Sequence, residues 1–163
     1  MKYKIKITSV CIVVLLCVGL TGCGNEDRKT ESKSAGKCTI MVECSTVSDN
    51  VKQLDKAVKD YIPPNGMILE KKQVEFFDNE SVYDVLSREL KSEGILIESS
   101  FTGNSAYIEG INNLYEFSCG DLSGWMYSVN GEYQNISSSE YKLKDGDEIE
   151  WHYTCDLGED LKN

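Results

Sequence analysis

The residues with most chemistry to offer are the cysteines, seven in a chain of 163 residues. Cys23 stands apart, because it closes the run Leu20-Thr21-Gly22-Cys23 behind an almost wholly apolar stretch from Val10 to Leu20 and a basic start at Lys2, Lys4 and Lys6. That order is the order of a secretory signal peptide, and the apolar run falls short of the roughly 20 residues a membrane span requires. Small residues at Thr21 and Gly22 let an extended chain enter a peptidase cleft, and a thiol at the next position is the group that accepts a diacylglycerol in a bacterial lipobox. The expectation is a signal peptide over 1–22, cleavage before Cys23, and lipid on Cys23. That lipid would hold the chain at the extracytoplasmic face of a cell membrane.

Cys11 and Cys17 would leave with the signal peptide, so Cys38, Cys44, Cys119 and Cys155 remain in the mature chain. An even number of cysteines in an exported chain implies disulfides, and four leave three pairings open. A zinc site needs close ligand pairs. Cys38 and Cys44 have five residues between them, and His152 is the sole histidine. Asp145-Gly146-Asp147-Glu148 lacks the ligand order of a calcium loop. No nucleophile motif and no phosphate-cradling glycine loop occurs. The expectation is therefore a chain that is not an enzyme, holds no metal and requires no cofactor. A formal charge of −10, more negative once the three leading lysines are removed, leaves little to neutralise phosphates and excludes nucleic acid as a partner. It also leaves membrane attachment to acyl chains rather than to basic residues.

The elements that must position these groups follow from periodicity. Residues 24–37 carry charge, Ser and Gly but no large apolar side chain, and read as a flexible tether. Cys38–Cys44 reads as a first strand, and Asp49–Tyr61 has Val51, Leu54, Val58 and Tyr61 at helical spacing. Residues 67–77 read as extended chain after the Pro63-Pro64-Asn65-Gly66 turn. Ser81–Ser92 is the clearest helix, with Val82, Val85, Leu86 and Leu90 on one face and Gly94 placed to end it. Strands are expected at 95–101, 106–111, 114–119, 125–129 and 147–155, with Asn130-Gly131 as a type I′ hairpin turn. The order points to an α+β fold: a mixed sheet covered by one main helix. The folded domain spans 38–158, with 159–163 as a tail.

Three blocks carry a resemblance: SAYIEGINNLYEF at 105–117, SGWMYSVNG at 123–131 and YKLKDGDEIEW at 141–151. They resemble a bacterial domain family of unknown function, DUF4430, which is similar to the C-terminal domain of transcobalamin and intrinsic factor. The resemblance implies a β-grasp-like sheet in which the first and last strands are neighbours. On that basis it implies a bond between Cys44 and Cys155, leaving Cys38 with Cys119. This chain has Ser138 where many relatives place a cysteine that would pair with Cys119, so the resemblance leaves Cys119 either bonded to Cys38 or free. The resemblance also implies a small-molecule ligand, cobalamin or a related corrinoid, and as partners an uptake permease or a second binding protein. The matching positions are Asn112, Asn113, Tyr115, Gly124, Trp125, Met126, Tyr127 and Asn130, since a flat, largely apolar ring stacks on aromatic faces and its amides need polar partners. Trp125 and Tyr127 also occupy alternate strand positions, the spacing of core packing. The competing reading is a surface adhesion or protein/glycan interaction module without a small-molecule ligand.

Overall fold

A computed structural model describes residues 33–162. The expected signal peptide, Cys23 and most of the expected tether lie outside these residues. None of the described helices is long and apolar enough to cross a membrane.

The chain forms β1 (Ser34–Glu43), β2 (Met67–Phe77), α1 (Val82–Ser92), β3 (Ile97–Thr102), β4 (Ser105–Ile111), β5 (Leu114–Tyr115), β6 (Gly124–Val129), β7 (Glu132–Tyr133) and β8 (Glu148–Thr154). Five strands make a mixed sheet in the order β2-β1-β8-β6-β7. Its first and last long strands, β1 and β8, lie side by side in parallel; the other pairs are antiparallel. A second antiparallel sheet, β3-β4-β5, was not expected from the sequence. Among the described residues the fold is α+β, with one α-helix and two sheets.

α1 forms where its pattern predicts. Ser81 caps it: the Ser81 hydroxyl accepts the Asp84 amide, and the Asp84 carboxylate accepts the Ser81 amide at 2.8 Å, so two otherwise unpaired donors are satisfied. Val82, Val85, Leu86 and Leu90 are fully buried against Ile40, Val42, Ile149 and Trp151 of the sheet. In β8, Ile149, Trp151 and Tyr153 therefore face the core, while Glu148, Glu150 and His152 alternate onto the other face.

Four expectations are corrected. The strand starts at Ser34, inside the expected tether, because Ser34 and Gly36 pair with Phe77 and Phe76 of β2. A Cβ at Gly36 would come within 2.8 Å of Asp145 Oδ1 and 2.9 Å of the Phe76 ring, so a residue that looks like linker is a close-packing position. Asp49–Tyr61 is not an α-helix. Short 3-10 turns at Ser45–Ser48 and Lys59–Tyr61 flank irregular turns. Val51 and Tyr61 stay exposed, and Asn50 and Asp55 bond nearby backbone groups instead of leaving them to a helix. The 114–119 strand stops at Tyr115, with Phe117 at φ +64°. Residues 159–161 form a 3-10 turn whose Asp160 accepts from Thr154 and the Cys155 amide, so the domain runs past 158 into the expected tail.

The four cysteines are buried and carry free thiols. Cys38 lies in the large cluster beneath α1, whereas Cys44, Cys119 and Cys155 share a second, smaller cluster. The Cys119 thiol donates to the Asn50 carbonyl at 3.5 Å, and the Cys155 thiol lies 3.8 Å from Thr46 Oγ1. The implied pairing of Cys38 with Cys119 joins two separate clusters and does not match this arrangement.

Candidate ligand-binding surface

β6 presents two different faces and one open edge. Trp125, Tyr127 and Val129 lie opposite Tyr153, Trp151 and Ile149 on the core side. Trp125 is half-buried, meets Tyr153 edge-on at 5.2 Å, and donates its indole N–H to the Leu114 carbonyl at 2.9 Å. Tyr127 stacks on Trp151 at 5.2 Å and donates its hydroxyl to the Ile136 carbonyl at 2.9 Å. Burial pushes the Tyr127 phenol up to about 12. Both aromatics are therefore chiefly packing residues. β7 pairs only with Ser128 and Val129, so Gly124–Tyr127 has no strand on its outer side.

Two clefts open along that edge and share Tyr107, Trp125 and Met126. The first, about 200 Å³, runs toward Ile136, Ser137 and Trp151. The second, about 260 Å³, runs toward Phe117, Leu122, Gly124 and Leu157. Their rim is unusually apolar for a surface: Phe117 and Leu157 are 63% and 68% exposed, and Tyr107, Leu122 and Ile136 are exposed beside them. Trp151 lines the first cleft together with Gln134, Ser137 and Ser138, and its buried indole N–H has no hydrogen-bond partner. The Tyr107 hydroxyl donates to Glu116, which pushes its pKa up to about 12.

Of the eight expected binding residues, Gly124, Trp125, Met126 and Tyr127 line these clefts. The others do not. Asn112 and Asn113 take positive φ, 52° and 63°, in the turn from β4 to β5, and Asn112 donates to the Tyr61 carbonyl. The Tyr115 hydroxyl donates to Glu98, and its ring packs over Gly110, where a Cβ would lie 2.5 Å away. Asn130, with Gly131, forms the expected positive-φ hairpin turn and bonds Asp147 and the Glu148 amide. These four are positioning residues for turns and strand ends. Sequence reasoning missed Tyr107, Phe117, Leu122, Ile136 and Leu157. Tyr107 lies on the exposed face of β4, where strand alternation could have shown it; the other four lie outside strands and helices, where no periodicity reveals exposure.

Among solved structures, a Ruminococcus gnavus protein assigned provisionally to metal binding, determined at 1.30 Å, is 18% identical. The alignment covers 73% of this chain and 96% of that one, with a TM-score of 0.44. Haptocorrin in complex with Cbi is 12% identical over 73% of this chain and 25% of its own, with a TM-score of 0.49. The chain thus spans about a quarter of haptocorrin's length. No curated protein matches. Among the described residues no three His, Cys, Asp or Glu side chains are grouped to hold a metal ion. Residues 79–155, from the turn before α1 to the end of β8, match the model of the family described as a domain of unknown function, DUF4430, the family that the SGWMYSVNG and LKDGD blocks resemble.

Proposed function

We propose that this chain is a membrane-anchored extracytoplasmic lipoprotein whose domain binds a small, flat, largely apolar molecule of the corrinoid class at the open end of β6, for transfer to an uptake permease or a second binding protein. It acts by binding rather than by catalysis. The observation that carries the reading is the apolar rim around Trp125 and Met126, formed by Tyr107, Phe117, Leu122, Ile136 and Leu157. Contiguous exposed apolar surface of this kind marks an interaction site. The parallel β1–β8 pair at the centre of the sheet, with α1 crossing over it, supports reading the frame as β-grasp-like.

The test is titration of the full chain with cobalamin, followed by its visible spectrum. Saturable change is expected, weakened at least tenfold by Phe117→Ser and Leu157→Ser. Both side chains lie on the surface, so their loss leaves the core intact. No spectral change at high micromolar cobalamin sinks the corrinoid reading and leaves the rim to a protein or glycan partner. The anchor is tested separately: the chain extracted from membranes should begin at Cys23 and carry the mass of a diacylglycerol, and Cys23→Ala should release it.

A further inference from the structure

We propose that a second pocket, on the sheet face turned away from α1, binds a small organic cation through an ammonium group. The pocket is about 490 Å³ and shares no lining residue with the clefts along β6. It lies where β1, β6 and β8 meet, with Glu43, His152, Glu150 and Ser128 on one sheet face, and Asp49 and Tyr133 at its margin.

The hydrogen bonds already made decide what is left to offer. Glu43 is spent: Oε1 faces His152 Nδ1 at 2.6 Å and Oε2 accepts the Ser45 amide at 2.7 Å. Asp160 is spent on Thr154 and the Cys155 amide. The ionised Glu43 can only accept, so His152 carries a hydrogen on Nδ1, and in the neutral ring Nε2 is then a lone-pair acceptor. Nε2 stands 3.8 Å from Glu150, beyond hydrogen-bond distance. Ser128, 1% exposed, is opposite Glu150 and Tyr133 in the ladder, and its buried hydroxyl has no partner. A buried hydroxyl without a partner is costly.

The charged groups left over, Glu150 and Asp49, are both carboxylates; Ser128 Oγ and, in the neutral ring, His152 Nε2 add acceptors, beside the Ser45, Ser48 and Tyr133 hydroxyls that line the same space. Lys71, at 3.5 Å from Glu150, is the cation nearest that carboxylate, and it also pairs with Glu148. With two carboxylates and no unpaired cation among the lining residues, the pocket favours a ligand that carries positive charge and donates hydrogen bonds. An ammonium does both, and the Tyr133 ring, edge-on to His152 at 5.8 Å, adds an aromatic wall. A bare metal ion fits less well: no three of the acidic, His or Cys side chains are grouped for it, and the space far exceeds one ion.

The test is calorimetric titration of the full chain with n-butylammonium and 1,4-diaminobutane, with 1,4-butanediol as the uncharged control. Saturable heat is expected for the amines and none for the diol. Glu150→Gln should weaken amine binding at least tenfold and Ser128→Ala at least threefold, with thermal melts unchanged within a few degrees. Three outcomes overturn the proposal: no saturable heat at millimolar amine, equal binding of the diol, or displacement of the amine by micromolar zinc or calcium. If cobalamin binding fails while amine binding holds, only the β6 reading falls.

Discussion

The two hydrophobic clusters are built by different means. Beneath α1, regular elements meet face to face: a capped helix lays Val82, Val85, Leu86 and Leu90 on alternating residues of β1 and β8. At the other end, Cys44, Val47, Leu114, Cys119, Tyr153 and Cys155 are enclosed by 3-10 turns and loops, with Leu54, Val58 and Ile62 only partly buried around them. The first cluster is held by area and periodicity. The second depends on particular hydrogen bonds. The Tyr153 hydroxyl donates to the Tyr115 carbonyl at 2.7 Å and pairs with Ser123 Oγ at 2.9 Å, while Thr46 Oγ1 donates to the Tyr153 carbonyl. Loops leave more backbone groups outside a regular ladder, and side chains pair part of them.

If that contrast is correct, truncation should separate the clusters most clearly. Leu86→Ala removes a fully buried side chain from beneath the helix and should cost about 2–5 kcal/mol. Leu54→Ala, at the partly open margin of the second cluster, should cost less than about 1 kcal/mol. Urea denaturation of both variants measures the difference, and equal losses would break the comparison. Hydrogen-bond deletion should reverse it. Tyr153→Phe keeps the ring but leaves the Tyr115 carbonyl and Ser123 with an unmet partner inside the second cluster. A loss of about 1–3 kcal/mol is expected, more than Leu54→Ala despite the smaller change in shape. Ser81→Ala removes the cap of α1 and should cost about 1 kcal/mol, read as a lower melting temperature with little change in ligand binding at β6.

The same contrast explains what could be read from the sequence. α1 was legible to the residue, because a 3.6-residue period, a capping Ser81 and a terminal Gly94 agree. The Asn130-Gly131 hairpin was legible for the same reason: both positions adopt positive φ, 55° and 78°. The mixed sheet and the strand at β8 followed from strand patterns. Residues 49–61 were misread because their helical spacing is real but has too little core to face. Ser34–Lys37 were misread because strand pairing there is made by backbone atoms beside a glycine. Half of the expected binding residues line the β6 clefts, since a strand pattern places Gly124–Tyr127 together. The rim and the acidic pocket were not legible. Both are assembled from loop residues and strands far apart in sequence, as Glu43 and His152 are.

Glu43 supplies the smallest and most specific effect. Burial alone would raise its carboxyl, but hydrogen bonds from His152 and Ser45 outweigh burial and hold it below the usual glutamate value of 4.5. A carboxyl whose pKa is lower in the folded than in the unfolded state contributes stability at pH values above its unfolded value, and loses it as pH falls through the folded one. Wild type should therefore exceed Glu43→Gln in stability near neutral pH, and the gap should close as pH drops below about 4.5. Urea midpoints for both chains at pH 7, 5, 4 and 3 measure it. A gap that stayed constant across that range would mean that Glu43 acts by shape rather than charge. It would also remove the ionised acceptor that places the His152 proton on Nδ1, and with it the lone pair that the acidic pocket presents on Nε2.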